Sequence, residues 1–345
     1  YFDRKLNEYV FKMENLFPQP GLDNRVIGVS SGGNRGEFRV VMTDLLPSLH
    51  MADMNGAQYF PRYIYELITQ DTTSDTKQTD LFVVALDSND SDGPKYGRRD
   101  AITDEGLAYF RVAYPGETIS KDDIFDYVYG LLHHPTYRER YAENLIKELP
   151  RIPLMTRAAD FRAMVEAGRE LGRLHVDYDA VDSWPVTIAE GDLRLANIPD
   201  PVSYFRVEKM KLAKRSGVGG KKVVDRTTVI YNPRITITNI PEAAWDYVVN
   251  GKPALAWVME RQCVKTDPAS GILSDANAYA NETIGDPRYP LDLFCRVITV
   301  SMETNRIVAS LPEFDIREDG KSGSKIEIEG LKRGIEEKWN GTQVG

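Results

Sequence analysis

Residues 204–240 read "YFRVEKMKLAKRSGVGGKKVVDRTTVIYNPRITITNI", and this stretch decides the fold class. Four short runs in it are rich in β-branched or aromatic residues and are separated by turns: "YFRVEKMKLA", "KKVVD", "TTVIY" and "RITITNI". Such runs are typical of strands, and Asn232–Pro233 favours the turn of a hairpin. The stretch therefore predicts a β section in which a glycine-containing loop joins two strands.

Helical patterns lie on both sides of this β section. On the amino-terminal side, Ser120 is a predicted N-cap and Pro135 opens the following helix. The apolar stripes of these two helices and of a third are Ile124, Tyr127, Val128 and Leu131; Tyr137, Tyr141, Leu145 and Leu149; and Phe161, Met164, Val165, Gly168 and Leu171. After Pro241, helices are expected in "EAAWDYVV", "PALAWVMERQ" and "PLDLFCRVITVSMETNRIVASL". We therefore predict an α+β fold, a mixed region of short strands with a basic β-hairpin flanked by helical lobes.

These patterns divide the chain into five segments. They are an N-terminal α/β part (1–115), a helical section (116–183), a β section with a basic loop (184–240), a C-terminal helical section (241–314) and a polar tail (315–345). In the first segment, strands are expected in "NRVIGVSS", "QYFPRYIYEL" and "LFVVAL", and the rest of residues 69–100 is expected to form surface loops. A short strand is expected in "SKIEIEG" of the tail.

The composition excludes several classes of protein. Of the 345 residues, 42% are hydrophobic and 28% are charged, which is enough apolar material for a core. No apolar run approaches the roughly 18 residues needed to span a bilayer, and no signal peptide is recognisable, so we expect no membrane partner. Cys263 and Cys295 lie far apart in helix-like segments and are interpreted as reduced core residues of a cytoplasmic protein. The absence of an initiator Met indicates a fragment of a longer chain.

The motifs of enzyme sites are not satisfied. Gly220–Lys221 lacks the earlier glycine and the Ser/Thr of a phosphate-binding loop, and Lys222 stands where a dinucleotide fingerprint needs glycine. Arg234 breaks the likeness of "YNPR" to the Asn-Pro-Pro-aromatic motif of amino-methyltransferases. The spacing of the histidines fits no metal site, and no Gly-x-Ser-x-Gly elbow occurs. These histidines are His50, His133, His134 and His175. We predict no catalytic residue, no metal site and no cofactor for this chain.

Positive charge is concentrated between residues 206 and 226. This stretch has eight lysines and arginines and two acidic residues, a net charge of +6, which leaves −15 for the rest of a chain whose total is −9. Such asymmetry attracts a nucleic-acid backbone to one part of the surface. Lys209 and Lys211 alternate along a predicted strand and share its face, and glycines 217, 219 and 220 permit φ > 0 and close approach to a backbone. The alternative interpretation is a solvated hairpin tip.

Two other loops extend the candidate interface, because arginine and asparagine read guanine and adenine edges through paired hydrogen bonds. The loops are "SSGGNRGEFR" and "PKYGRRD", and an ordinary surface role is the alternative for each. The candidate DNA-binding residues are Lys209, Lys211, Lys214, Arg215, Lys221, Lys222, Arg226, Asn34, Arg35, Arg98 and Arg99.

Long phrases of the chain resemble the C-terminal target recognition (specificity) region of type ISP single-chain restriction-modification enzymes. The phrases are "YVYGLLHHPTYRERYAENLIKELPRIPL", "VIYNPRITITNIPEAAWDYVVNGKPALAWVMERQCVKTDPASGILSDAN", "YPLDLFCRVITVSMET", "RKLNEYVFKMENLFPQPGLDNRVIGVSS" and "LHMADMNGAQYFPRYIYE". They occur in order over about residues 1–314, so the resemblance does not depend on one short motif.

The resemblance implies a parent enzyme with a nuclease, a helicase-like ATPase, a coupling region, an adenine-N6 methyltransferase and this recognition domain. S-adenosylmethionine, ATP and Mg are implied for that parent and not for this fragment. The implied partners are double-stranded DNA and the methyltransferase domain of the same polypeptide. The expected function is sequence-specific recognition that directs adenine-N6 methylation and cleavage by other domains. The alternatives are a protein-interaction lobe of the same enzyme that reads no bases, and a stand-alone enzyme with an unrecognised site.

Overall fold

The computed structural model describes residues 13–30, 38–47, 57–68, 82–84, 95–189 and 197–317. The chain forms two compact units. Unit 1 contains the residues up to Val176 and those from Ser310 onward, and unit 2 contains Asp177–Ala309. Both helices and small antiparallel sheets occur, which confirms the α+β class. The five segments named from the sequence stay a prediction.

Unit 1 contains two three-stranded antiparallel sheets. The strands are β1 (Val26–Ser30), β2 (Val40–Thr43), β3 (Ala57–Pro61), β4 (Tyr63–Leu67), β5 (Phe82–Val84) and β6 (Tyr96–Asp100). The orders are β2-β1-β3 and β4-β6-β5, so β1 and β6 are the central strands. All five residues of β1 are buried, as its apolar sequence requires. The buried Asn24 side chain joins the second sheet to the preceding chain, because its amide donates to Tyr63 O and its Oδ1 accepts from Tyr63 N.

The described residues of unit 1 also form six helices. They are α1 (Met13–Leu16), α2 (Asp104–Ala113), α3 (Lys121–His133), α4 (Pro135–Arg140), α5 (Ala142–Lys147) and α6 (Ala158–Val176). The predicted cap of α3 is confirmed by a capping box: Ser120 Oγ accepts from Asp123 N, and Asp123 Oδ2 accepts from Ser120 N. Pro135 occupies the first turn of α4, as predicted.

Helices α3 and α6 pack so closely that their backbones touch. A Cβ added to Gly168 of α6 would overlap the carbonyl oxygen of Asp126 in α3, and a Cβ added to Gly130 would overlap the backbone of Met164. Close packing of this kind tolerates no extra methyl group. The glycine predicted on the apolar face of α6 therefore fixes the spacing of the two helices.

The core of unit 1 is built around aromatic side chains. Tyr127 and Phe161 lie 5.1 Å apart between ring centroids, and Tyr114 stacks on Phe161 at 4.8 Å. Two of the buried tyrosine hydroxyls donate to carbonyls of residues 153–155: Tyr114 bonds Met155 O at 2.8 Å and Tyr127 bonds Pro153 O at 2.6 Å. Burial raises the pKa of Tyr114 to about 12. These hydroxyls supply hydrogen-bond donors to the carbonyl groups of the irregular segment that leads into α6.

The described residues of unit 2 form a four-stranded antiparallel sheet, two short hairpins and four helices. Its strands are β7 (Thr187–Ile188), β8 (Lys211–Ser216), β9 (Lys222–Asn232), β10 (Ile235–Thr238), β11 (Val248–Val249), β12 (Lys252–Pro253), β13 (Val264–Thr266) and β14 (Leu273–Asp275). Its helices are α7 (Pro201–Phe205), α8 (Ala254–Arg261), α9 (Ala276–Ala278), continued by a π-helical turn (Tyr279–Ile284), and α10 (Tyr289–Ala309). The sheet order is β7-β10-β9-β8, so β8 is an edge strand.

The core of unit 2 lies between this sheet and α10. Val229 and Tyr231 of β9, Ile237 of β10 and Phe294 of α10 are fully buried in one cluster. The predicted turn at Asn232–Pro233 is confirmed, because β9 and β10 form a hairpin around it. Beyond Leu212, β8 and its part of β9 extend past this core, and their side chains are largely exposed.

Several expected elements differ in the structure. "YFRVEKM" is not a strand: Asp200 caps a helical turn that Pro201 opens, and a coil then runs to Lys211. "KKVVD" and "TTVIY" are one long strand, β9. "EAAWDYVV" forms only a 3₁₀ turn over Glu242–Trp245, because the backbone after it pairs in the hairpin β11–β12.

Other differences concern single positions. The helix expected from Pro135 to Leu149 ends and restarts at Tyr141, and Val128 and Tyr141 are only partly buried. The expected loop "PKYGRRD" contains the central strand β6. Cys263 follows α8 rather than lying in a helix, while Cys295 is buried in α10, and both thiols are free. "SKIEIEG" lies outside the described residues.

Candidate nucleic-acid interface

The hairpin of β8 and β9 brings together most of the cations predicted from the sequence. We call residues 211–230 the cationic ribbon. It carries Lys211, Lys214, Arg215, Lys221, Lys222 and Arg226, and every one of these side chains is exposed. Lys209 is exposed too, but it lies in the coil before β8. The prediction that Lys209 and Lys211 share one strand face is therefore wrong.

The cations of the ribbon lie on both of its faces. Leu212 pairs with buried Val229, so alternate residues from Leu212 onward point to the core side and the others to the opposite side. The inner face carries Leu212, Lys214, Ser216, Lys222 and Val224, and the outer face carries Lys211, Ala213, Arg215, Val223 and Asp225. The β alternation thus divides the positive charge of this part of the surface between two faces.

The tip of the ribbon is a tight glycine turn. Gly219 and Gly220 have φ of 72° and 78°, as the sequence predicted, whereas Gly217 is extended at −96°. Gly217 is required by space instead, since a Cβ there would lie 2.9 Å from Val223 Cγ1 and 3.0 Å from Lys221 O. Gly217 N donates to Lys221 O at 2.7 Å and closes the turn. The tip therefore holds Lys221 and Lys222 in a defined turn.

A bulge separates the distal part of the ribbon, residues 213–225, from the core part of the sheet. The partner of Leu212 is Val229, but the partner of Ala213 is Asp225, so residues 226–228 have no partner on β8. Asp225 Oδ1 accepts from Thr227 N at 2.9 Å and from Thr227 Oγ1 at 2.7 Å, and these bonds lower the pKa of Asp225. The backbone of the bulge is held by Trp245, whose indole donates to Arg226 O at 2.9 Å. Residues 226–228 form a fixed break in the strand pairing.

The chain entering the ribbon is also fixed. Asn277 accepts from Val207 N at 2.8 Å and donates to Val207 O at 2.9 Å, in a buried site. Tyr231 donates to Phe205 O at 2.7 Å. No sequence motif marks Asn277, and Trp245 is marked only by the need of a buried indole N–H for an acceptor. Both residues orient the ribbon by anchoring its ends.

The ribbon cations have no ion-pair partner among the described residues. Arg206, which precedes the ribbon, differs: it pairs with Glu208 at 2.7 Å and with Asp275 at 3.2 Å. Arg215 is near enough to Asp225 to contribute to the lowered pKa of that carboxyl. Val223 and Val224 lie among the cations and are 41% and 53% exposed. The ribbon therefore presents unneutralised positive charge together with apolar surface.

The remaining candidate residues lie elsewhere. Arg98 and Arg99 belong to β6 in unit 1, where Arg98 lies 4.3 Å from the centroid of the Tyr63 ring and Arg99 pairs with Glu66 at 3.0 Å. Both arginines thus already have partners within the sheet. Asn34 and Arg35 lie outside the described residues.

His133 and His175 have structural roles, and His50 lies outside the described residues. His175 Nδ1 lies 2.8 Å from the Tyr129 hydroxyl, and burial lowers its pKa to about 4. His133 bonds Tyr129 O at 2.8 Å, and burial lowers its pKa well below the usual range. In the described part of the chain, no three His, Cys, Asp or Glu side chains are grouped as metal ligands, and no helix has the length and apolar character to cross a membrane.

Comparisons with known proteins place these features in a family. The sequence profile of the Type ISP C-terminal specificity domain matches residues 1–293. A solved structure of a nuclease-deletion mutant of the Type ISP restriction-modification enzyme LlaGI in complex with a DNA substrate mimic is 35% identical, with a TM-score of 0.64 over 92% of this chain and 24% of that chain. No protein with a curated description matches.

Two further solved structures are similar. The ATP-dependent Type ISP restriction-modification enzyme LlaBIII bound to DNA is 30% identical, with a TM-score of 0.68 over 90% of this chain and 17% of that chain. A DrdV–DNA complex is 30% identical, with a TM-score of 0.64 over 91% of this chain and 27% of that chain. The chain therefore spans about a quarter or less of the length of the proteins that it matches. The profile match and these likenesses confirm the resemblance seen in the sequence: the chain belongs to the Type ISP C-terminal specificity domain family.

Proposed function

We propose that this chain recognises the target sequence in double-stranded DNA for a type ISP restriction-modification enzyme. The observation that carries the proposal is the cationic ribbon, in which six exposed lysines and arginines form no ion pair with the described residues. Phosphates are the partners that such side chains take on DNA, and phosphate contacts supply much of the affinity. The ribbon lysines fix the position of the domain on the backbone, and neighbouring side chains read base edges.

The solved relatives support this proposal, because each is a complex with DNA or with a mimic of a DNA substrate. Each is at least 30% identical to this chain over about nine tenths of its length. We extend DNA recognition to this chain on that likeness and on the charge of its ribbon. Lys209 and Arg226 extend the proposed interface at the base of the ribbon. Asn34, Arg35, Arg98 and Arg99 remain proposed contacts from the sequence.

The proposal places the chemistry in the rest of the parent polypeptide. The parent would carry out adenine-N6 methylation with S-adenosylmethionine, and ATP-dependent restriction with ATP and Mg. The methyltransferase domain of the same polypeptide would be the protein partner of this chain, which would direct that domain to the adenine of the target site. We assign no catalytic step to the residues of this chain.

A salt titration tests the proposal. Binding of the purified chain to a short mixed-sequence DNA duplex is measured by fluorescence anisotropy at several salt concentrations. The variant Lys214→Gln, Arg215→Gln, Lys221→Gln, Lys222→Gln removes four cations, so the slope of log affinity against log salt is expected to fall by about 3.6, at about 0.9 for each phosphate. The control is Lys147→Gln with Arg173→Gln, two exposed cations of unit 1. An unchanged slope in the ribbon variant would contradict the proposal.

A second candidate function is protein docking, and the hairpin β13–β14 favours it. Ile272 and Leu273 at its tip are 65% and 60% exposed. Asp267 holds the loop rigid, because its Oδ1 accepts from Ala269 N and Ser270 N. A rigid, exposed apolar tip suits contact with another protein surface. Changing Ile272 and Leu273 to Ser should weaken association with the separately expressed remainder of the parent polypeptide in gel filtration, and retained co-elution would exclude this hairpin.

A further inference from the structure

We infer that the cationic ribbon enters the DNA major groove between its two walls, so that each face of the ribbon meets the phosphates of a different strand. Lys211 and Arg215 of the outer face would neutralise one backbone, and Lys214 and Lys222 of the inner face the other. The inference rests on the proposed function and adds to it the groove and the two-sided mode of binding.

The positive charge of the ribbon is distributed over both of its faces. Beyond the bulge, Lys214 and Lys222 share the inner face and Arg215 lies on the outer face; Lys211 lies on the outer face at the base of the ribbon, so each face carries two exposed cations. A ribbon lying flat on DNA would use only one of these pairs and leave the other in solvent. A ribbon standing between two phosphate rows uses both pairs.

The thickness of the ribbon matches the width of the major groove better than that of the minor groove. The major groove is about 12 Å wide and admits a two-stranded β-ribbon, whereas the minor groove is about 6 Å wide. Sheets pack about 10 Å apart, and this distance is also the approximate thickness of one sheet with its side chains. Beyond the bulge at residues 226–228, only β8 and β9 remain paired, and β8 is an edge strand. The free part of the ribbon is therefore two strands wide and fits the larger groove alone.

The two faces of the ribbon carry one carboxylate, that of Asp225. Asp225 lies on the outer face, opposite Ala213, where a free carboxylate would repel phosphate. Its Oδ1 is engaged by the backbone N–H and the hydroxyl of Thr227, so the charge is directed toward the bulge. These bonds lower the pKa of Asp225, so its carboxylate keeps its negative charge at neutral pH. The outer pair is thus expected to bind no more strongly than the inner pair.

The two faces provide matched variants for the test. Lys211→Gln with Arg215→Gln empties the outer face, and Lys214→Gln with Lys222→Gln empties the inner face. Each pair should lower the salt slope by about 1.8, and the four changes together by about 3.6, at about 0.9 per phosphate. Lys147→Gln with Arg173→Gln should leave the slope unchanged, and circular dichroism should confirm that all variants are folded.

The outcomes separate this inference from the proposed function. If only one pair lowers the slope, the ribbon binds by one face, and the two-walled mode is wrong although DNA recognition stands. If neither pair matters, the ribbon is outside the interface and both proposals are wrong.

A second probe identifies the groove. In DNA whose cytosines carry glucosylated hydroxymethyl groups, sugar fills the major groove and leaves the minor groove open. Wild-type affinity for that DNA should fall at least about tenfold relative to unmodified DNA, roughly 1.4 kcal/mol. Equal affinity for the two DNAs would overturn the major-groove assignment, even if both pairs of cations matter.

Discussion

In helix α6 of unit 1, Arg169 donates to Asp126 and Asp123 at 2.9 Å, and Arg162 donates to Glu117 at 2.8 Å and to Asp123 at 3.2 Å. In the cationic ribbon of unit 2, the described residues offer the lysines and arginines no such partner. Charges of α6 thus connect helices, while charges of the ribbon face solvent. The pairing of a cation, more than its abundance in the sequence, therefore separates cations that hold the fold from cations that remain available to a partner.

The strongest test of the comparison concerns the helix pair itself. Gly168→Ala adds a methyl group where the carbonyl oxygen of Asp126 already lies, so α3 and α6 must separate. We expect a loss of about 3 kcal/mol in the free energy of unfolding, at the upper end for an overpacked core. Urea denaturation followed by circular dichroism measures it. Glu166→Ala, at an exposed position of the same helix, is the control, and equal stability of the two variants would show that the glycine contact is not limiting.

A smaller effect is expected from removing one structural cation. Arg169→Gln leaves the Asp126 carboxylate, which is only 8% exposed, without its guanidinium partner. The free energy of unfolding at pH 7 should fall by about 1–2 kcal/mol, and not by more, because Arg169 itself is half exposed. Burial already raises the pKa of Asp126 despite Arg169. The variant should raise that pKa further, so protonation relieves the cost and the difference from wild type shrinks as pH falls toward 5. Arg173→Gln is the matched control. A difference independent of pH would show that Asp126 is not the cause.

The smallest effect on stability is expected in the ribbon. Replacing Lys211, Lys214, Arg215 and Lys222 by Gln removes like charges that have no partner among the described residues. The melting temperature should stay within about 2 °C of wild type, because exposed cations without partners contribute little to folding. Differential scanning calorimetry measures it. A large drop would mean that these residues serve the fold, and the contrast with α6 would fail.

The sequence predicted the helices of unit 1 better than the elements around the ribbon. Periodic apolar residues located α3 and α6 because burial on one face repeats every three to four residues. Helix α7 was missed because Tyr204 and Phe205 favour strands, whereas Asp200 and Pro201 supply a helix start that is visible only as a cap. The hydrogen bond of the Asp200 cap and the proline at the first helical position therefore outweigh the strand propensity of the aromatic residues.

The candidate site shows the same limit. The charge and glycine content of the ribbon were visible in the sequence, but its two-faced distribution depends on strand register, which the pairing of Leu212 with Val229 sets. Arg98 and Arg99 appeared to lie in a loop because their neighbours are polar, yet β6 is a central strand. Contacts between distant parts of the chain decide both cases.

The three-residue bulge has a consequence for how members of the family could diverge. Val229 and Tyr231 are held by the core, and Trp245 fixes the backbone at Arg226, so the register at the base does not depend on the residues beyond it. An insertion or deletion near Gly219 would be absorbed on the distal side of the bulge. If the proposed function holds, new tip sequences could therefore change the DNA contacts of the ribbon without repacking the interior.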